Sequence, residues 1–207
     1  MHYLSAFFWI GIFCFGTQQI CADEVYVDRE GNEISIIRAK SFDEIDVIQG
    51  KEILVRSFMA GYEDVPLSDL NPTFRSIGDV RRFYEAYFDS EFENFKQGNM
   101  IWIQAFEKEK LLGWATFELE DDGNAAYMNL LAVGPSFQGK GIGKHLTFSI
   151  LSADLFPDIQ EVRLLLRNIN ESGRKFYEKI GFFDFKYARE DNFVDISLLT
   201  GLKWVKN

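Results

Sequence analysis

Cysteine, histidine and proline are scarce in these 207 residues, and each scarcity excludes something. There are two cysteines, Cys14 and Cys21, both inside the first 22 residues. If that segment is removed, the remaining chain has no thiol for a disulfide framework or a cysteine nucleophile. The two histidines, His2 and His145, lie far apart in sequence, so nothing suggests a metal site. Prolines number four, no run is long and polar enough to form a disordered tail, and no internal repeat is found. Basic residues are outnumbered 22 to 32 by acidic ones, for a formal net charge of −10. That balance argues against nucleic acid as the main partner, because neutralising phosphates requires a basic face.

Long apolar runs are also absent. The longest, Ala6 to Phe15, is too short to anchor in a bilayer and has the length of a signal-peptide core. Ala22 offers a small residue at a cleavage position. Against this, no Lys or Arg precedes the core, and Ile20 is bulky for a cleavage motif. Residues 1–22 are therefore read as an export signal, making the chain secreted or periplasmic, with one domain over 23–207. If they are instead a mis-assigned start or an amphipathic arm, the chain is cytoplasmic. No integral membrane domain is expected.

What is present suffices for one well-packed domain: 47% of the residues are hydrophobic and 16% aromatic. Glu33–Arg38 reads as a first strand. Ser41 with Glu44 three residues on signals a helix start, and the helix should continue to about Phe58. Ala60–Ser76 reads as a loop. A second helix over Asp79–Lys96 carries a largely aromatic stripe of Val80, Phe83, Tyr84, Tyr87, Phe88 and Phe92, which marks core or pocket wall. Met100–Phe106, Leu111–Leu119 and Ala125–Val133 read as strands joined by short polar turns, hence antiparallel. A helix over Gly141–Leu155, a strand over Glu161–Leu166, a helix over Glu171–Ile180 and strands over Phe182–Ala188 and Phe193–Leu199 complete the chain. The result is an α/β (α+β) domain whose mixed sheet is mostly antiparallel, flanked by helices, with a strand–helix–strand crossover at its centre.

The most informative stretch lies at that crossover: Val133-Gly134-Pro135-Ser136-Phe137-Gln138-Gly139-Lys140-Gly141-Ile142-Gly143-Lys144. Glycines at 139, 141 and 143 let the backbone turn tightly and approach a ligand. Amides at the start of the next helix, together with its dipole, favour an anion such as a pyrophosphate. A nucleoside-triphosphate loop would need Gly-x-x-x-x-Gly-Lys-Ser/Thr, which is absent. A dinucleotide fold would need its glycines after an early strand, whereas this loop comes late.

Gln138-Gly139-Lys140-Gly141-Ile142-Gly143 resembles the Gln/Arg-x-x-Gly-x-Gly/Ala motif of the GCN5-related N-acetyltransferase (GNAT) family. Leu131-Ala132-Val133-Gly134-Pro135 is similar to the end of that family's fourth strand. Asn170-Glu171-Ser172-Gly173-Arg174-Lys175-Phe176-Tyr177 through Gly181-Phe182 is similar to its Asn-x-x-Ala/Gly-x-x-x-Tyr-x-x-x-Gly-Phe segment. The resemblance spans roughly residues 33–200 and implies the acyl-CoA N-acyltransferase fold, acetyl-coenzyme A (acetyl-CoA) as cosubstrate and an amine acceptor.

It further implies that the amides of Gln138, Gly139, Lys140, Gly141, Ile142, Gly143 and Lys144 cradle the pyrophosphate. Leu131 and Val133 would offer main-chain hydrogen bonds to the pantetheine arm and thioester. Asn170 is either a plain helix N-cap or, by the resemblance, a pantetheine contact. Tyr177 is the choice for general acid, since a phenol is protonated at neutral pH and can serve a departing thiolate; otherwise it is a packed helix tyrosine. Glu118 is the candidate general base, with Tyr127 and Asn129 able to hold a water; an exposed, solvated Glu is the alternative. Phe58–Lys96 and the final hairpin should shape the acceptor site, where Tyr62, Glu63, Asp64, Asp69, Tyr84 and Tyr87 suit an amine with an apolar body. That acceptor is expected to be a small cationic amine, a lysine or an N-terminus. The rival readings are a CoA-binding module without catalysis and an exported interaction protein on the same fold. The assembly is expected to be a monomer or homodimer.

Overall fold

A computed structural model describes residues 24–28, 30–151, 156–186 and 198–206. The segment read as an export signal lies outside them, as do the end of the helix expected to reach Leu155 and residues 187–197 of the expected closing strands.

Eight strands form one sheet in the order β1-β2-β3-β4-β5-β6-β8-β7. They are β1 (Glu24–Val27), β2 (Glu33–Arg38), β3 (Ile101–Glu107), β4 (Lys110–Glu120), β5 (Ala125–Val133), β6 (Glu161–Arg167), β7 (Phe183–Asp184) and β8 (Leu199–Val205). All neighbours are antiparallel except β5 and β6. The helices are α1 (Val47–Gly61), α2 (Leu67–Leu70), α3 (Ile77–Lys96), α4 (Ile142–Phe148) and α5 (Glu171–Lys179). None among the described residues is long and apolar enough to cross a membrane.

The β5–α4–β6 crossover controls the site. β5 and β6 pair only at Ala125–Glu161, Ala126–Val162 and Tyr127–Arg163. Beyond Tyr127 no strand among the described residues covers this edge of β5, and β5 and β6 part. On the other edge, β5 stays paired with β4 as far as Val133. There Thr116 pairs with Leu130 and Phe117 with Met128, so Asn129 is an extra, bulged residue.

Each face of the sheet carries its own core. Ile142, Leu146 and Tyr177, from α4 and α5, pack on one face with Phe117, Met128 and Val162. The α1/α3 face is aromatic: fully buried Phe88 meets Trp102 and Trp114 edge-on at 5.2 and 5.3 Å, and the two indoles stack at 4.7 Å. The stripe expected on α3 is therefore core at Val80, Tyr84 and Phe88. β4 and β5 approach closely at Gly113, where a Cβ would lie 2.6 Å from the Ala132 carbonyl oxygen. Backbone cannot yield as a side chain can. Gly113→Ala should cost about 1–3 kcal/mol of stability, read as a lower urea midpoint at unchanged slope; an unchanged midpoint would contradict that close contact.

Several boundaries differ from the sequence expectation. The first long helix does not start from Ser41, whose side chain makes no cap bond. Glu44 accepts from the Lys40 amide, and Asp46 is the cap, accepting from the Gln49 amide at 2.9 Å. α3 begins two residues early because Asp79 is the third residue of a capping box on Ser76. The expected loop 60–76 contains α2. β1 was missed: its Val25 and Val27 face solvent at 52% and 66% exposure, so hydrophobic alternation gave no inward signal. The last strand runs over Leu199–Val205, beyond the expected end at Leu199.

Candidate functional site

The phosphate-type loop has the conformation that its glycines suggest. Gly139 and Gly141 take left-handed φ of 80° and 93°, which other residues adopt only at a cost. Gly143 does not; a Cβ there would lie 3.2 Å from the Phe176 ring, a tight contact. Gly141 is the N-cap of α4 and its carbonyl accepts from the His145 amide. The N–H groups of the first turn, Ile142 to Lys144, have no preceding helical carbonyl and so remain available to an anion. The Gln138 amide, expected among the ligands, instead donates to the Pro135 carbonyl at 3.4 Å. The Gln138 side chain donates to the Val133 carbonyl at 3.2 Å and pins the loop to the strand end.

Loop and parted strands open on one cavity of about 340 Å³. Leu131, Val133, Gln138, Gly139, Gly143 and Asn170, all named from sequence, line it. Ile142 is instead buried in the core, and Lys144 is exposed on α4. Lys140 turns to Glu30 in the β1–β2 turn, whose carboxylate holds the ammonium above the ordinary lysine value. Opposite the loop the wall comes from the end of α1: Ser57, Phe58, Gly61 and Tyr62.

Asn170 does two things at once. Its Oδ1 caps α5, accepting from the Gly173 amide at 2.8 Å and the Ser172 hydroxyl at 3.1 Å. Its side chain also lies near the Tyr62 phenol. Burial pushes that phenol up to about 12, although Arg167 and Asn170 pull the other way.

The two catalytic candidates do not line the cavity. Tyr177 sits on α5 beside Phe176, which does, and is 8% exposed. Burial, with a smaller contribution from nearby Tyr62, raises its phenol above the ordinary tyrosine value. Glu118 is half-buried on β4 and its Oε1 accepts from Asn129 Nδ2 at 2.6 Å. It pairs across the sheet with Tyr127, the last β5 residue in register with β6, so it stands level with the point where the strands part. Two residues back on the same face, Thr116 donates to the buried Glu91 carboxylate at 2.7 Å. Sequence reasoning did not single out Glu91; a Glu at a buried position of an amphipathic helix is the signal that was there. His145 stacks on Tyr26 at 3.6 Å and bonds Glu24, on the side of α4 facing β1.

The model of the acetyltransferase (GNAT) family matches residues 67–182. In sequence the chain is similar to the uncharacterized N-acetyltransferase ycf52 of Gracilaria tenuistipitata var. liui, with 25% identity over 138 residues, covering 67% of this chain and 73% of the relative. Among solved structures it resembles the PaiA N-acetyltransferase of Thermoplasma acidophilum in complex with coenzyme A, at 20% identity and a TM-score of 0.61. That match covers 83% of this chain and 99% of the other. It also resembles the ribosomal-protein-S18-alanine N-acetyltransferase of Escherichia coli, at 16% identity and a TM-score of 0.54, covering 83% and 93%.

Proposed function

The chain belongs to the acetyltransferase (GNAT) family, and from that premise we propose that this N-acetyltransferase moves an acetyl group from acetyl-CoA to a primary amine by direct attack. One observation carries the donor half: the glycine loop with its free helix-start amides and the unpaired edge of β5 face the same cavity. A pyrophosphate suits the first and an extended amide-bearing arm suits the second. The PaiA enzyme, solved with coenzyme A, has the same fold, which supports coenzyme A as the guest here.

In the proposed reaction the ammonium first gives up a proton, for which Glu118, oriented by Asn129, is the base, directly or through a water. The amine nitrogen then forms a bond to the thioester carbonyl carbon. The carbon–sulfur bond breaks, the thiolate takes the Tyr177 proton, and the surplus proton on the new amide nitrogen passes to water, from which the Tyr177 phenolate is reprotonated. No covalent enzyme intermediate is required. Residues 1–22 as an export signal remain part of the proposal on sequence grounds alone.

A second reading, a CoA-binding module without turnover, is favoured by one fact: neither Tyr177 nor Glu118 lines the donor cavity. Calorimetry with acetyl-CoA, followed by thiol release with a panel of amines, separates the two. Micromolar binding, about −8 kcal/mol, with amine-dependent thiol release supports the transferase. Binding without release supports the module, and no binding by folded protein removes both.

A further inference from the structure

A second cavity, of about 450 Å³, lies between α1, α2 and α3. We propose that it receives the body of the acceptor, which is a primary amine carrying one bulky apolar group and no second positive charge. This rests on the donor reading above and narrows its acceptor.

The position supports this use. Phe58 and Tyr62 line both cavities, so the two spaces share a wall. A group lodged in the second would bring an attached amine to that shared wall. The volume falls in the ~300–1,000 Å³ range of small-molecule sites. Ile77, 61% exposed, and exposed Glu63 are among its lining residues, so the cavity has a mouth to solvent.

The lining dictates the chemistry. Met59, Leu67, Leu70 and Val80 make it apolar, and Glu63 is its charged residue. The inner hydroxyls belong to Tyr62 and Tyr84, whose phenols burial pushes upward, as expected of a poorly hydrated space. Behind that wall lies a cation. The Arg167 guanidinium stands 5.8 Å from the Tyr62 ring, bonds the Leu70 carbonyl and is in reach of Tyr84. A second ammonium driven inward would lose its water and meet like charge. An aryl or branched alkyl group loses only unfavourable hydration. Two sources share this chemistry: free arylalkylamines, and polypeptide N-termini with a large apolar first residue.

The test uses the full chain with acetyl-CoA and follows thiol release. Acceptors are 2-phenylethylamine, tryptamine, ethylamine, spermidine, a lysine-bearing peptide blocked at its N-terminus, and tetrapeptides beginning with Leu or Gly. The expected result is kcat/KM at least ~100-fold higher for the apolar amines, or for the Leu peptide, than for ethylamine or the Gly peptide. Whichever arm responds identifies the source. Leu67→Trp, which fills the cavity, should raise KM for the preferred acceptor at least ~10-fold without changing acetyl-CoA affinity. Leu67 does not line the donor cavity, so retained affinity also certifies the fold. Ile77→Trp at the exposed mouth is the second variant, with the same expectation. Spermidine or the lysine peptide as best acceptor, no gain from apolar bulk, or unchanged KM in both variants would overturn the proposal. So would intact acetyl-CoA binding with no amine accepted, which leaves the donor reading standing. Loss of acetyl-CoA binding by folded wild-type protein would instead remove the donor reading itself.

Discussion

Gly141→Glu should abolish acetyl-CoA binding, raising Kd at least ~100-fold (about 2.7 kcal/mol), in a protein that still folds. Two effects combine at this position. Gly141 has φ of 93°, and a residue with a Cβ there pays roughly 1–2 kcal/mol, which falls on the loop and not on the core. The added carboxylate then stands at the cap of α4, where the free amides of Ile142 to Lys144 attract an anion. It takes the place of the pyrophosphate and repels it. Gly141→Ala separates the two, since it introduces the strain without the charge; it should weaken binding about 10-fold at most. The surroundings are open, with His145 Cδ2 at 3.9 Å the one atom near an added Cβ, so the stability loss in either variant should not exceed the ~1–2 kcal/mol of backbone strain, and both should fold. Calorimetry decides: a Glu variant that binds acetyl-CoA within 3-fold of wild type would sink the assignment of this loop.

The loop could be read from sequence because its signal is local. Alternate glycines between a strand and an amphipathic helix constrain the backbone whatever surrounds them, and Gly139 and Gly141 take the expected left-handed turns. The three middle strands were equally plain, since mainly apolar stretches interrupted only by isolated polar residues such as Gln104, Thr116 and Asn129, set between charged turns, have few other uses. The opening between β5 and β6 was not visible. It is set by where pairing stops at Tyr127, and nothing in Met128 to Val133 announces a missing neighbour. The Asn129 bulge is hidden for the same reason: register belongs to two strands, not one.

The second cavity shows the same division. Of the residues expected to shape an acceptor site, Tyr62, Glu63 and Tyr84 line this cavity, whereas Asp64, Asp69 and Tyr87 do not. All six lie in the expected segment, but which of them turn inward depends on how α1, α2 and α3 come together around the cavity. The role of Asn170 was half legible. Its position before Glu171 predicts the cap that is found, while its reach to Tyr62 joins residues 108 positions apart in the chain. An electrostatic feature escaped as well: the Lys140 ammonium is held by Glu30 from the unnoticed β1–β2 turn.

Tyr177→Phe should lower kcat by about 10²–10⁴ and leave the Kd of acetyl-CoA within 3-fold. The ring supplies the packing, against Phe176 and Phe182 at 4.9 and 5.3 Å, and Phe preserves it, so the fold and the donor cavity are unaffected. The hydroxyl supplies the proton. Burial raises the phenol above its ordinary value of about 10, which sets the sign of the pH dependence. The neutral form, the one that can donate, persists across neutral and mildly alkaline pH. Wild-type kcat should therefore rise with pH as the amine and its base deprotonate, and show no descending limb from this residue below about pH 10. Tyr177→Phe should lower the whole profile without moving its rising limb. Tyr62→Phe is the informative contrast, because Tyr62 lines the donor cavity and Tyr177 does not. If Tyr177→Phe retains wild-type kcat while Tyr62→Phe loses it, the proton comes from the end of α1, and the acid assignment passes to Tyr62.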